Sequence, residues 1–83
     1  MTNIYKKALD IRTDIAKQHG ITVREIISES KKLRLVKARN DAWYWTKEHT
    51  NLTDDEIGML YNRNRSNVLR GIRNQKKLIK KSL

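Results

Sequence analysis

Five consecutive polar residues, Arg63, Asn64, Arg65, Ser66 and Asn67, stand between Tyr61-Asn62 and the apolar Val68. Their side chains suit the recognition of base edges better than the making of bonds. A guanidinium matches guanine O6 and N7 with two parallel donors, and a carboxamide grips adenine in the same bidentate way. Other groups that could do chemistry are poorly arranged for it. His19 and His49 are distant in sequence and cysteine is absent, which leaves a metal ion too few ligands. Asp54, Asp55 and Glu56 are consecutive, so on a helix they point in different directions, and compensation of a helix dipole explains them more simply. No Ser–His–Asp arrangement follows from the spacing. The expectation is a binding protein and not an enzyme, with no cofactor, no metal and no small-molecule substrate.

The charge says what kind of partner to expect. In 83 residues, 19 Lys and Arg stand against 9 Asp and Glu, a formal net charge of +10. The excess comes from two segments without acids. One holds Lys31, Lys32, Arg34, Lys37 and Arg39; the other runs from Asn62 to the end and holds Arg63, Arg65, Arg70, Arg73, Lys76, Lys77, Lys80 and Lys81. Such a balance points to a polyanion, nucleic acid first. Solvated faces that keep a small protein soluble are the plainer reading of a charge run. The length allows one domain, residues 1–83, and excludes a large enzyme. No apolar run can span a membrane, no signal-peptide core opens the chain, and the apolar face near Lys76–Lys81 is too narrow for a membrane-lying helix. A soluble, cytoplasmic, nucleoid-associated protein is expected.

The elements that must position these residues read as helices throughout. Proline is absent, glycine occurs three times, and apolar residues recur every three or four positions. Ile4, Ala8, Ile11 and Ile15 mark a first helix, with Thr2 or Asn3 as its cap and Gly20 at its end. Thr22-Val23-Arg24-Glu25 is a capping box that opens a short second helix with Val23, Ile26 and Ile27 inward. Ser28–Lys32 reads as a loop. A third helix is predicted from about Leu35 to His49, with Val36, Trp43, Ala42 and Thr46 toward the core. Trp43, Tyr44 and Trp45 cannot share one face, so one Trp is core and the other, or Tyr44, is partly exposed. Thr53-Asp54-Asp55-Glu56 is a second capping box, opening a fourth helix to about Tyr61. Asn62-Arg63-Asn64 is a turn, and a fifth helix from Arg65 or Ser66 to about Lys81 buries Val68, Leu69, Ile72 and Ile79. A short helix, a turn and a longer helix make a helix-turn-helix, whose second helix enters the DNA major groove. Gly58, within the first of the pair, permits close approach of another helix.

The order of these pieces resembles a known family. Ile21-Thr22-Val23-Arg24-Glu25-Ile26-Ile27, the basic loop, Lys47-Glu48-His49-Thr50-Asn51-Leu52-Thr53-Asp54-Asp55-Glu56-Ile57-Gly58 and Ser66-Asn67-Val68-Leu69 are together similar to the C-terminal DNA-binding domain of the bacterial replication initiators of the DnaA family. The likeness runs from about residue 8 to residue 79. It implies an all-α bundle of about five helices similar to the Trp repressor, with the helix-turn-helix in the major groove and the basic loop in the adjacent minor groove of double-stranded DNA.

Carried over by position, the resemblance makes Lys31, Lys32 and Arg34 the minor-groove candidates. Lys31 stands where the family has Arg, and Arg34 is the alternative for that task. Arg39 matches a position near the phosphate backbone, and Arg70 and Arg73 are further backbone candidates. The family signature Gly-Gly-Arg-Asp-His-Ser/Thr-Thr-Val is here Asn62-Arg63-Asn64-Arg65-Ser66-Asn67-Val68, one residue shorter and without either glycine. Asn64 and Arg65 replace Asp and His, and Asn67 replaces a Thr whose methyl could pack on thymine, so the preferred site should differ from the family's usual box. No ATPase loop of the Gly-x-x-x-x-Gly-Lys-Ser/Thr type is present. A stand-alone protein of phage or mobile-element type, or a fragment, is expected. Three roles fit: a replication or transcription factor at specific sites, the DNA-recognition subunit of a phage machine of the small-terminase type acting by self-association, or a module that antagonises a host replication protein.

Overall fold

The computed structural model describes residues 3–82 of the chain. They form five α-helices: α1 Ile4–Gln18, α2 Val23–Ile26, α3 Leu33–His49, α4 Asp54–Met59 and α5 Arg65–Ser82. The all-helical expectation holds. The caps explain most of the boundaries. The Asn3 side chain accepts from the Tyr5 and Lys6 amides at the start of α1, while Thr2 lies outside the described residues. Both capping boxes form: Thr22 and Glu25 exchange bonds at α2, and Thr53 and Glu56 do so at α4.

α1 and α4 end in the same way. Gly20 takes φ +67°, and the Ile21 amide donates back to the Ala16 carbonyl over 3.0 Å. Asn62 takes φ +56°, and the Arg63 amide donates back to the Gly58 carbonyl over 2.9 Å. Each is a Schellman-type closure, which needs a left-handed residue. Glycine fills it without strain, and asparagine is among the few others that tolerate it.

α3 is the central element and touches each of the other four helices. Its ring of neighbours buries Leu35, Ala38, Arg39, Asn40, Ala42, Trp43 and Thr46. Two expectations are corrected here. α3 begins at Leu33, two residues earlier than predicted, and Leu35 is the buried residue while Val36 is only half-buried. In α5, Val68 and Ile72 are buried as predicted, but Ile79 is only half-buried, and Leu69 is exposed while Gly71 takes its place on the inner face. The reason is the α3–α5 crossing: a Cβ on Gly71 would lie 2.5 Å from Asn40 Oδ1 and against the Trp43 ring. Trp43 also meets Tyr61 edge to face, with ring centroids 5.9 Å apart. The buried Tyr61 seats the end of α4 in the core, and burial pushes its phenol well above the usual range.

Polar ties fix α1 on α4. The Tyr5 hydroxyl donates to Glu56 over 2.7 Å, and Arg12 donates to the Leu60 carbonyl over 2.5 Å. Asp41 joins three helices, pairing with His19 at the end of α1 and accepting from Gln75 of α5. The helix-turn-helix of α4 and α5 is thereby braced by α1 and α3.

Candidate nucleic-acid interface

The turn between α4 and α5 is tight because Gly58 has no side chain. A Cβ there would clash with the Arg63 carbonyl, so the close neighbour is the backbone of the turn and not another helix. Asn64 then starts α5: its Oδ1 accepts from the Asn67 amide over 3.0 Å. That oxygen serves the helix end, which leaves the Asn64 NH2 as the group free to donate outward. Asn64, Arg65 and Ser66 are exposed and Asn67 is half-buried. These four candidate base-reading residues therefore sit together at the start of an 18-residue helix, Asn64 capping it and the other three on its first turn.

Arg63 is placed differently. Its side chain is half-buried, and its guanidinium donates to the Ser28 carbonyl over 2.5 Å and to the Asn62 carbonyl over 3.3 Å. It is tied to main chain and turned toward the basic loop. Arg39, expected near a phosphate, is 3% exposed. Its Nε donates to Ile26 (2.7 Å), and its terminal nitrogens donate to the carbonyls of Ser30 (2.7 Å), Ser28 (2.8 Å) and Glu25 (3.2 Å). Burial lowers its pKa, and the nearby Arg63 charge adds to the shift. A guanidinium can satisfy four divergent carbonyls at once because its donors are fixed in a plane. Arg39 thus builds the loop from inside.

The loop so held faces the start of α5 across a cleft of about 590 Å³. Lys31 lines one side; Asn67, Arg70 and Asn74 line the other. Val36, Trp43 and Gly71 contribute to the lining between them. The structure therefore brings together Lys31, Arg63, Asn67 and Arg70 from the two basic segments. Other members stand apart. Arg34 lies in the first turn of α3 and reaches back to the Gly20 carbonyl over 3.3 Å. Lys32 and Arg73 are exposed and do not line the cleft. Lys76, Lys77 and Lys80 border a second groove with Tyr44 and Ile79. Asn74 was missed in the sequence, although its spacing from Asn67 and Arg70 puts it on their face of the helix. Gly71 and the Ser28 carbonyl have no local signal.

The family model described as "Bacterial dnaA protein helix-turn-helix" matches residues 9–74. This chain belongs to that family. The matched span covers the loop, the cleft and the first half of α5. Among curated proteins, the chromosomal replication initiator protein DnaA of Oleidesulfovibrio alaskensis is 41% identical over 54 residues. That stretch is 65% of this chain and 12% of the DnaA relative's length. No solved structure matches the chain. No described helix is long and apolar enough to cross a membrane, and no group of three metal-ligating side chains occurs among the described residues.

Proposed function

We propose that the chain binds double-stranded DNA selectively, with the first turn of α5 in the major groove and the Ser28–Lys32 loop at the neighbouring minor groove. One observation carries this reading: the exposed Asn64, Arg65 and Ser66 open α5 beside a cleft whose far side is the basic loop. A helix N-terminus that presents polar side chains next to a second basic element suits a duplex, which offers base edges in one groove and phosphates around it. Arg65 is the candidate for a guanine edge, and Ser66 and Asn67 extend the reading surface. Asn64 offers its NH2 while its oxygen caps the helix. Arg70 and Arg73 are the backbone contacts on α5, and Lys31 with Lys32 approaches the minor groove. Arg39 positions the loop, and Arg34 is exposed and donates to the Gly20 carbonyl. Membership of the DnaA helix-turn-helix family supports a role at specific sites in replication or transcription control.

Selection from random duplexes tests the reading. A single enriched motif is expected, different from the family's usual box because Asn64, Arg65 and Asn67 depart from its signature. Enrichment of the usual box would refute the altered readout, and a flat pool would refute selectivity. Arg65→Ala should relax the preference at one position at a cost of about 1–3 kcal/mol. Equal weakening on all sequences would make Arg65 a phosphate contact instead.

A further inference from the structure

We propose that the groove between α3 and the C-terminal half of α5 binds single-stranded DNA, with Tyr44 stacking an unpaired base and Lys76, Lys77 and Lys80 holding its phosphates. The groove measures about 380 Å³ and is lined by Tyr44, Ile79 and these three lysines. It shares no lining residue with the cleft beside the basic loop, so it is a second surface and does not depend on the duplex-binding reading.

The lining divides as a single strand does. Tyr44 packs against the core, and both it and Ile79 are half-buried, which leaves part of a flat ring and an aliphatic chain as an apolar floor. The three lysines are exposed at the rim, and no acid lines the groove. An unpaired base lays its π-face on such a floor while its phosphate stays at the rim; a paired base offers only its edges. Lysine is a point charge on a flexible stem and suits phosphates whose positions vary. The apolar floor favours a deoxyribose over a ribose, whose 2′-OH would lose water against it. The lining holds neither carboxamide nor guanidinium, so the backbone of an acidic peptide finds no matched partner, whereas a base stacks without one. Aromatic surface continues beside the groove. The Trp45 ring lies 5.4 Å from that of Tyr44, is stacked on His49 and is 40% exposed. Aromatic rings next to a cationic track are the means of sequence-tolerant single-strand binding.

Labelled oligothymidylate of about eight nucleotides, titrated with the intact chain and followed by anisotropy, tests the proposal. Binding should quench the emission of Trp45, the exposed one of the two tryptophans. Lys76→Gln with Lys80→Gln should make the log–log salt slope shallower by about 1.4, at roughly 0.7 per phosphate contact on a single strand. Tyr44→Ala should weaken binding about tenfold, and Tyr44→Phe should leave it unchanged, because the ring and not the hydroxyl is the platform. The lysine pair alters only exposed side chains and keeps the test decisive if Tyr44→Ala unfolds. Arg65→Ala and Arg70→Ala, on the duplex surface, should have little effect. An abasic deoxyribose-phosphate chain of equal length, and a peptide of alternating Asp and Leu, should each bind about tenfold more weakly. Equal binding of either, an unchanged tryptophan emission, or a greater loss from Arg65→Ala or Arg70→Ala than from the lysine pair would overturn the site. Because no duplex is used, failure here is distinct from failure of duplex selection.

Discussion

Arg39 and Arg63 donate to the same acceptor, the Ser28 carbonyl, over 2.8 and 2.5 Å. One guanidinium comes from the central helix and the other from the turn of the helix-turn-helix, and they meet on the basic loop. A carbonyl has two lone pairs and can serve both. The basic loop and the turn of the helix-turn-helix are therefore linked through one atom.

Arg39 is the more demanding half of that link. Arg39→Met removes the donor set for carbonyls at Glu25, Ile26, Ser28 and Ser30 and should lower stability by about 1–3 kcal/mol, measured by urea unfolding. Arg39→Lys should restore little, since an ammonium cannot meet four divergent acceptors in that plane. Amide hydrogen exchange at residues 28–32 should quicken in both variants. Full rescue by Lys would show that charge, and not the fork, holds the loop.

Gly71 is required by contact and not by backbone conformation. Gly71→Ala places a Cβ against Trp43 and Asn40, where α3 and α5 cross. Thermal unfolding should show a loss of about 1–3 kcal/mol. An unchanged melting temperature would mean that the helices separate freely.

The capping boxes give stability an acid limb. The Thr22 N–H holds the Glu25 carboxyl below its usual range, more than burial opposes it. The Thr53 N–H, then the Tyr5 hydroxyl, do the same for Glu56. Folding thus favours the ionised forms. Their stabilisation is complete above the ordinary glutamate value of about 4.3 and is lost as the pH falls through the lower folded values. The melting temperature should decline across that acid window, and Glu25→Gln with Glu56→Gln should flatten the decline. An identical acid limb in the double variant would place its origin elsewhere.

Where local chemistry decides, the sequence was legible. Thr22/Glu25 and Thr53/Glu56 announce their helix starts, and Asn62-Arg63-Asn64 announces the turn, because each signal lies within a few residues. The start of α3 was not, because Lys32 makes no side-chain cap bond there. Val36 is half-buried where its spacing predicts a core residue, because a helix surrounded by four others has no clear polar face. Leu69 and Gly71 exchanged places because only the partner helix shows which side of α5 must be narrow. The carbonyl partners of Arg39 and Arg63 have no signature in the sequence, since a basic residue reveals them only once the loop is folded.

Binding of the selected duplex should depend steeply on salt. If the cleft and α5 together neutralise about 6–8 phosphates, the log–log slope of affinity against salt should be roughly −5 to −7. Fluorescence anisotropy of a labelled duplex at several salt concentrations measures it. A slope near zero would contradict the account.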